Sequence, residues 1–517
     1  MADKDLILAI DCGTQNVKAA VFDPEGRELA LARRAHGPDI VPQPRWMEHD
    51  PEDYYQKSRD AVREVIDSLG ADVSRLRAVG LCSQRGTAIP LDKDGKPTRN
   101  AIVYQDNRFT ENLGPLRNLW GLFFSIIGMK SAIEYVRTHS RFVWIKQYQP
   151  DVYEKTAVFA QVASYLNFRL TGEINESVGM MVGMFPLDYK KLDWYPFKGI
   201  HDIFGVTPTQ LPPLLRPGSI AGHITEKASV DTGIPKGLPV VVGGGDIQSA
   251  VVGMGVTEEN KAALSLGTTL DFDIPYHKHI SDKALQYLAW PAAVPDQYVL
   301  EAGVGSGFLT VTWFKNEIAT HEAQLAENSG KATEDILDEA IADIPPGSLG
   351  LMVHPYWTPP FHRDEARGSI IGLTMSHDRP HIYRAILEGL ALETLNGYEA
   401  IRKKTGIEIE EIRVSGGASQ SDQVLQILAD VFQVPTVRME VQEAAALGSA
   451  VSAAVGSGLY PTITDAVDAM THPKTVFTPN RENRDIYRFL YKKYVDLYPK
   501  VADHYKETAF LLEKKDA

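Results

Sequence analysis

Twice in this chain a strand-like run stops at a short turn of small and polar residues and a second strand-like run follows at once. Leu6 to Ile10 leads into Asp11, Cys12, Gly13, Thr14, Gln15 and Asn16, and Val17 to Phe22 follows. Ala262 to Leu266 leads into Gly267, Thr268 and Thr269, and Leu270 to Ile274 follows. Leu6 to Ile10, with no polar alternation, is expected of a strand buried on both faces. Strand, turn, strand is a hairpin, unlike the strand, turn, helix of a P-loop or a dinucleotide fingerprint. Two such hairpins about 250 residues apart predict a duplicated core.

The segments between them predict an α/β chain. Arg27 to Arg33 reads as a third strand after the turn Asp23 to Gly26. Asp50 caps a helix that starts at Pro51, with Glu52 and Asp53 favoured by the helix dipole and Gly70 as its end. Arg77 to Cys82 is a strand, then comes the loop Ser83-Gln84-Arg85-Gly86-Thr87, and Ala101 to Tyr104 is another strand. Leu238 to Val242 is an apolar strand ending in Gly243-Gly244-Gly245-Asp246. After the second hairpin, helices near 379–404, 421–432 and 443–456 alternate with strands at 412–414 and 436–439. Glu482 to Lys515 reads as a long bracing helix. Glycines and polar residues at 253–260 mark a domain boundary, dividing the chain into residues 1–254 and 255–517.

Composition limits the functions open to such a chain. Its 517 residues are 44% hydrophobic and 23% charged, enough for two or three cores. The net charge of −14, with no basic tract, argues against nucleic acid and serves solubility. Cys12 and Cys82 lack ligand-like spacing, so neither a disulfide framework nor a structural zinc site is expected from them. The charged start MADKD is not that of a signal peptide. The apolar window Leu119 to Met129 is too short to span a bilayer and reads as a buried or lid helix. A cytoplasmic protein without membrane partners is the expectation.

Three turns have the character of phosphate sites. Gly13-Thr14-Gln15-Asn16 and Ser265-Leu266-Gly267-Thr268-Thr269 are tight turns of small residues that aim backbone N–H groups at anionic oxygens. Ser415-Gly416-Gly417-Ala418-Ser419 has paired glycines that permit close backbone approach by a flat ring or a sugar. Asp11 can hold a magnesium ion through water, because Mg²⁺ takes few carboxylates and keeps several waters. Lys18 either reaches a phosphate or is simply solvated. Asp246, at the end of a glycine-rich strand, suits a general base; a helix N-cap for Ile247 to Gly253 is the other reading, and both can hold together.

At this point the chain resembles the FGGY carbohydrate kinases, the family of glycerol kinase, xylulokinase, ribulokinase and autoinducer-2 kinase. The C-terminal signature of that family is matched by Gly368, Ile370, Gly372 and Leu373, then after seven residues by His381, Ile382, Ala385, Ile386, Leu387 and Glu388. The N-terminal signature is nearly matched by Thr138, Arg141, Phe142, Trp144, Ile145 and Gln147, with Arg141 where the family usually has Lys. The resemblance implies two actin-like ATPase (ribonuclease H-like) domains with mixed sheets flanked by helices and an ATP cleft between them. It implies a phosphoryl transfer from ATP, with Mg²⁺, to a hydroxyl of a small sugar or polyol. Gly13, Thr14, Gln15, Asn16 and Lys18 are then phosphate contacts, with Gly267 and Thr268 on the other side, and Gly416, Gly417 and Ser421 lie along the nucleoside. Asp11 and Asp246 take the metal, and Asp246 takes the proton of the attacking hydroxyl. A homodimer is implied by analogy alone.

The acceptor segments depart from the relatives. Xylulokinases usually carry Met-His where this chain has Arg85-Gly86, and glycerol kinase carries Arg-Glu. Cys82-Ser83-x-Arg85 and Ile247-Gln248 resemble autoinducer-2 kinase, whereas Tyr104 to Arg108 resembles the xylulokinase W-N-D-G-R segment. Arg85, Asp106 and Gln248 are therefore candidate acceptor contacts, with local loop support as the alternative for Arg85 and Gln248. Trp290, Trp313, Trp357 and the stretch Pro355 to Phe361 either line a pocket or pack a core. A ketopentose such as D-xylulose is the first expectation, the autoinducer-2 class the second, and erythritol-, ribulose- or glycerol-type acceptors the rest. The competing classes are a non-enzymatic actin-like or chaperone ATPase and a sugar-binding pseudokinase, both of which a turnover assay excludes.

Overall fold

The structure is a computed structural model and describes residues 4–114, 130–360, 363–508 and 511. The apolar window Leu119 to Met129, Phe361 and the last residues of the expected C-terminal helix lie outside the described residues. Among the described residues no helix is long and apolar enough to cross a membrane.

Two compact units form. The first comprises Met1–Gly253, Trp290–Gln297 and Ala445–Met470, and the second comprises Met254–Ala289, Tyr298–Ala444 and Thr471–Ala517. In the first unit the hairpin strands Leu6–Cys12 and Asn16–Phe22 pair antiparallel, and Glu28–Ala35 extends the meander. On the other side of Leu6–Cys12 lie Leu76–Ser83 and then Pro239–Gly245, both parallel to it. Ile220–His223 closes the sheet antiparallel to Pro239–Gly245. Six strands thus form one mixed sheet.

The second unit repeats this order. Lys261–Leu266 and Leu270–Tyr276 form the hairpin, and Tyr298–Val304 extends it. Glu411–Ser415 and Thr436–Met439 lie parallel on the other side, and Pro473–Phe477 closes the edge antiparallel. The duplicated core expected from the two hairpins is present in both connection order and strand direction. A central strand such as Leu6–Cys12 is fully buried because helices cover both faces of its sheet, which is why its sequence shows no alternation. Pro51–Leu69 begins as expected: Asp50 accepts from Glu52 N at 2.9 Å, Pro51 opens the helix, and Gly70 ends it at φ 55°.

One element is not where its sequence position puts it. A division into residues 1–254 and 255–517 assigns 445–470 to the second half, yet the helix Ala444–Gly456 packs from Ala445 onward in the first unit. The cause is backbone approach through small residues. A Cβ on Gly448 would overlap the Ser249 carbonyl, and one on Gly80 would overlap Ser449. Tyr460 then donates from its hydroxyl to Pro24 O at 2.6 Å, and Arg77 donates to Ser457 O at 2.7 Å.

Candidate active site

Strand register gathers the first unit's candidates. Asp11 pairs with Cys82, and both Cys12 and Gly245 pair with Ser83. Asp11 and Asp246 therefore flank the carboxyl end of the middle strand, two strand spacings of about 4.8 Å apart in the sheet direction. This edge is where open α/β sheets hold ligands. Both carboxylates act on Cys82, whose thiol is pushed far up by burial and then by Asp11 and Asp246. Cys12 is raised likewise by burial and by Asp11, so neither free cysteine is a thiolate ligand or nucleophile.

Asp11 is buried and ion-pairs with Lys18 at 3.5 Å, because the hairpin register sets those two residues opposite each other. Lys18 is thus placed to balance the Asp11 charge. The turn is closed by Gly13 N donating to Asn16 O at 3.1 Å, and His36 braces it from below through Gly13 O at 3.0 Å. Asp246 opens the helix Asp246–Gly253, and its carboxylate accepts from the adjacent Ile247 N at 3.0 Å. Its side chain is still 29% exposed, and Arg85 Nε stands 3.9 Å from Oδ1. The stem of Arg85 lies where a Gly245 side chain would be, and Gln248 Oε1 reaches the same spot. Both polar atoms of the buried Gln248 side chain make no hydrogen bond. Orphaned buried polar groups are costly and rare unless a ligand or water answers them. Arg85, Asp246 and Gln248 thus form one constellation. Asp11 and Asp246 are oxygen donors of the kind and number that Mg²⁺ takes, so the residues present fit that ion.

Asp106 does not belong to this constellation. Its fully buried carboxylate accepts from Met47 N at 2.6 Å and from Arg108 at 2.7 and 2.8 Å, and Arg108 also binds Glu48 at 2.9 Å. The Arg108 guanidinium is sandwiched between Trp46 and Trp144, 4.5 Å from each ring. Every oxygen of Asp106 is engaged within the fold, which corrects the expectation that it binds the acceptor.

Arg141 is the residue that motif reading underused. Buried beneath both acceptor loops, it donates to Gly86 O and to Tyr104 O, each at 2.9 Å, and burial lowers its pKa to about 10. Gly86 N in turn donates to Gln161 Oε1 at 2.8 Å. A positive charge at a signature position beside a loop is the signal that could have found it.

Glu176 supports the site from behind. Ser177, its neighbour, donates to Gly243 O at 2.5 Å and so holds the glycine-rich strand end. Burial raises Glu176 to about 8 against hydrogen bonds from Ser177 N and Gln161. The folded protein therefore binds this proton more tightly than the unfolded chain. Stability is undiminished below about pH 4.5 and falls as pH rises towards 8, by a few kcal/mol in all. Glu176→Gln is expected to raise the urea midpoint little at pH 5 and most at pH 8 to 9. A pH-independent difference between the two proteins would sink this account.

In the second unit, Gly267 N donates to Thr269 O at 3.1 Å, closing a turn one residue shorter than that from Gly13 N to Asn16 O. The helix Leu309–Glu317 sits behind it, with Leu309 N on Thr268 O at 3.3 Å. Gly416 adopts φ 92°, and a Cβ there would strike Leu266 O at 2.6 Å, so the backbone passes directly against the phosphate hairpin. Space beside Gly417 is open. Ser421 caps the helix Asp422–Phe432 by accepting from Val424 N at 3.1 Å. Trp313 and Trp357 pack 4.9 Å apart against the core and also border an open cleft with Arg367, so both readings of these aromatics apply.

Residues 6–253 match the FGGY family of carbohydrate kinases, N-terminal domain, and residues 262–457 match its C-terminal domain. The chain belongs to the FGGY family of carbohydrate kinases. It is an ATP-dependent sugar kinase, a phosphotransferase with a sugar hydroxyl as acceptor. It is 30% identical over 487 residues to the uncharacterised sugar kinase YgcE of Escherichia coli, covering 94% of this chain and 91% of that one. It is 27% identical to the autoinducer-2 kinase of Klebsiella pneumoniae, covering 95% and 93%. The fold is shared with the ligand-bound xylulose kinase of Lactobacillus acidophilus, at TM-score 0.84, 22% identity and coverage of 97% and 99%.

Proposed function

We propose that this kinase phosphorylates a small linear polyhydroxyl compound, a ketopentose such as D-xylulose being the first choice, with Asp246 as general base. The observation that carries this is the Arg85–Asp246–Gln248 constellation: a carboxylate, a guanidinium 3.9 Å from it, and a buried amide with no internal partner. A base at a strand end takes the proton of the attacking hydroxyl. Arg85 and Gln248 supply donors and an acceptor for neighbouring hydroxyls, which orients the nucleophile. Gly13, Thr14, Gln15 and Asn16 are assigned to phosphate oxygens, as are Gly267 and Thr268 on the second unit, with Gly416 and Gly417 along the nucleoside. Asp11 and Asp246 would hold the magnesium ion, which when bound neutralises phosphate charge. Arg141 keeps Gly86 and Tyr104 in register beside Asp246.

The autoinducer-2 class is a second reading, favoured by Cys82-Ser83-x-Arg85 and Ile247-Gln248. A coupled ADP-release screen over pentuloses, polyols, hexuloses, aldonates and the autoinducer-2 precursor tests both. The expected result is the highest kcat/KM on a ketopentose. Turnover confined to the autoinducer-2 precursor would transfer the assignment to the second reading, and no acceptor-dependent turnover would overturn both.

A further inference from the structure

Below the Gly13–Asn16 turn two histidines and an aspartate converge, none of them used in the assignments above. His36 follows the strand Glu28–Ala35, His49 ends the short strand Glu48–His49, and Asp53 lies in the first turn of Pro51–Leu69. One ligand atom from each, all three within 4.8 Å of one another, makes a group able to hold a metal ion. His36 Nδ1 is 3.4 Å from Asp53 Oδ2, and His49 Nε2 is 2.9 Å from the same oxygen. Both histidine side chains are only 4% exposed, whereas Asp53 at 18% leaves a path in.

The second nitrogen of each ring is already oriented. His36 Nε2 lies 3.0 Å from Gly13 O, an acceptor only, so that nitrogen carries the proton. His36 Nδ1 then presents a lone pair, and it makes no hydrogen bond. His49 Nδ1 lies 3.1 Å from Asp39 Oδ1 and Nε2 lies 2.9 Å from Asp53 Oδ2; in the tautomer with its proton on Nδ1, Nε2 presents a second lone pair. Asp53 Oδ2 also accepts from Gly37 N at 3.0 Å, which fixes that carboxylate. With that tautomer, His36 Nδ1, His49 Nε2 and Asp53 Oδ2 converge on one point suited to a cation. Carbonyl and carboxylate partners on the outer nitrogens are the usual outer shell of a metal-bound histidine.

We propose that His36 Nδ1, His49 Nε2 and Asp53 Oδ2 form a binding site for a divalent transition-metal ion of the zinc class. Zinc bonds of about 2.0 to 2.2 Å in tetrahedral geometry set ligand atoms roughly 3.3 to 3.5 Å apart; the two distances to Asp53 Oδ2, 2.9 and 3.4 Å, are close to this, and all three atoms lie within 4.8 Å of one another. Two imidazoles exclude Mg²⁺ as the preferred ion, since it takes oxygen ligands. The ion would lock the His36 ring that braces Gly13, a consequence that rests on the phosphate role given to that turn. The site itself is independent of that role and is read without turnover.

The test is metal analysis of the full chain after chelator treatment and equilibrium dialysis against micromolar Zn²⁺ with millimolar Mg²⁺ present. One zinc per chain is expected, and His49→Gln should lose it. Asp39→Asn changes a side chain that is 45% exposed, so it is expected to fold normally and to bind zinc ten- to a hundred-fold more weakly. Zinc should also raise the melting temperature of the wild type more than that of either variant. Equal zinc content in wild type, His49→Gln and Asp39→Asn would overturn the proposal. So would displacement by Mg²⁺, or no retained zinc, in which event a proton on His49 joins the two carboxylates instead.

Discussion

Asp246→Asn is expected to lower kcat by about 10² to 10⁴, the usual worth of general-base help. The substitution keeps shape and the acceptor for Ile247 N, so the start of the helix Asp246–Gly253 survives. Melting temperature and ATP affinity should change little, because the glycine turns are untouched. What the variant loses is the group that accepts the hydroxyl proton, so the loss should fall on kcat more than on KM. Steady-state ADP release on the best acceptor measures it. A kcat near that of the wild type would remove Asp246 from the role of base.

Arg85→Ala is expected to reduce kcat/KM for the true acceptor by about ten- to two-hundred-fold, since a hydrogen bond from a charged group contributes roughly 1.5 to 3 kcal/mol. The slow ATPase background should remain, because Arg85 lies on the loop after Leu76–Ser83 and not on a glycine turn. Arg85→Lys should fall between the two, as it keeps the charge but loses the planar fork. Loss of ATP binding with acceptor discrimination spared would show that this loop serves the nucleotide instead.

The first hairpin was legible because a strand buried on both faces leaves the unbroken apolar run Leu6 to Ile10, and the second because its turn of small and polar residues repeats the first. The same holds for Pro51–Leu69, whose cap, first-turn proline and terminal glycine all appear at their structural places. The place of Asp246 at a strand end was legible for a related reason: three glycines close the apolar run Leu238 to Val242 directly before it. Asp106 misled for the opposite reason. Its segment resembles a substrate loop, but its charge is balanced by Arg108, and Arg108 is held by Trp46, Trp144 and Glu48, the last of these 60 positions away.

Gly86 shows the same limit from another side. Read in sequence, it looks like the loss of a histidine or glutamate that relatives carry. In the fold it sits at φ 78° with Met184 Sδ 3.0 Å from where a Cβ would be, so a side chain there is strained. Local pattern and motif determined the elements, the duplicated sheet and the family. Only the tertiary structure decided that Arg141 clamps Gly86 and Tyr104, that Ala445–Met470 joins the first unit, and that His36, His49 and Asp53 meet beneath Gly13. Periodicity and turn chemistry act between near neighbours in the chain, whereas ion pairing, small-residue packing and lone-pair convergence depend on which distant segments the sheet and helices bring together.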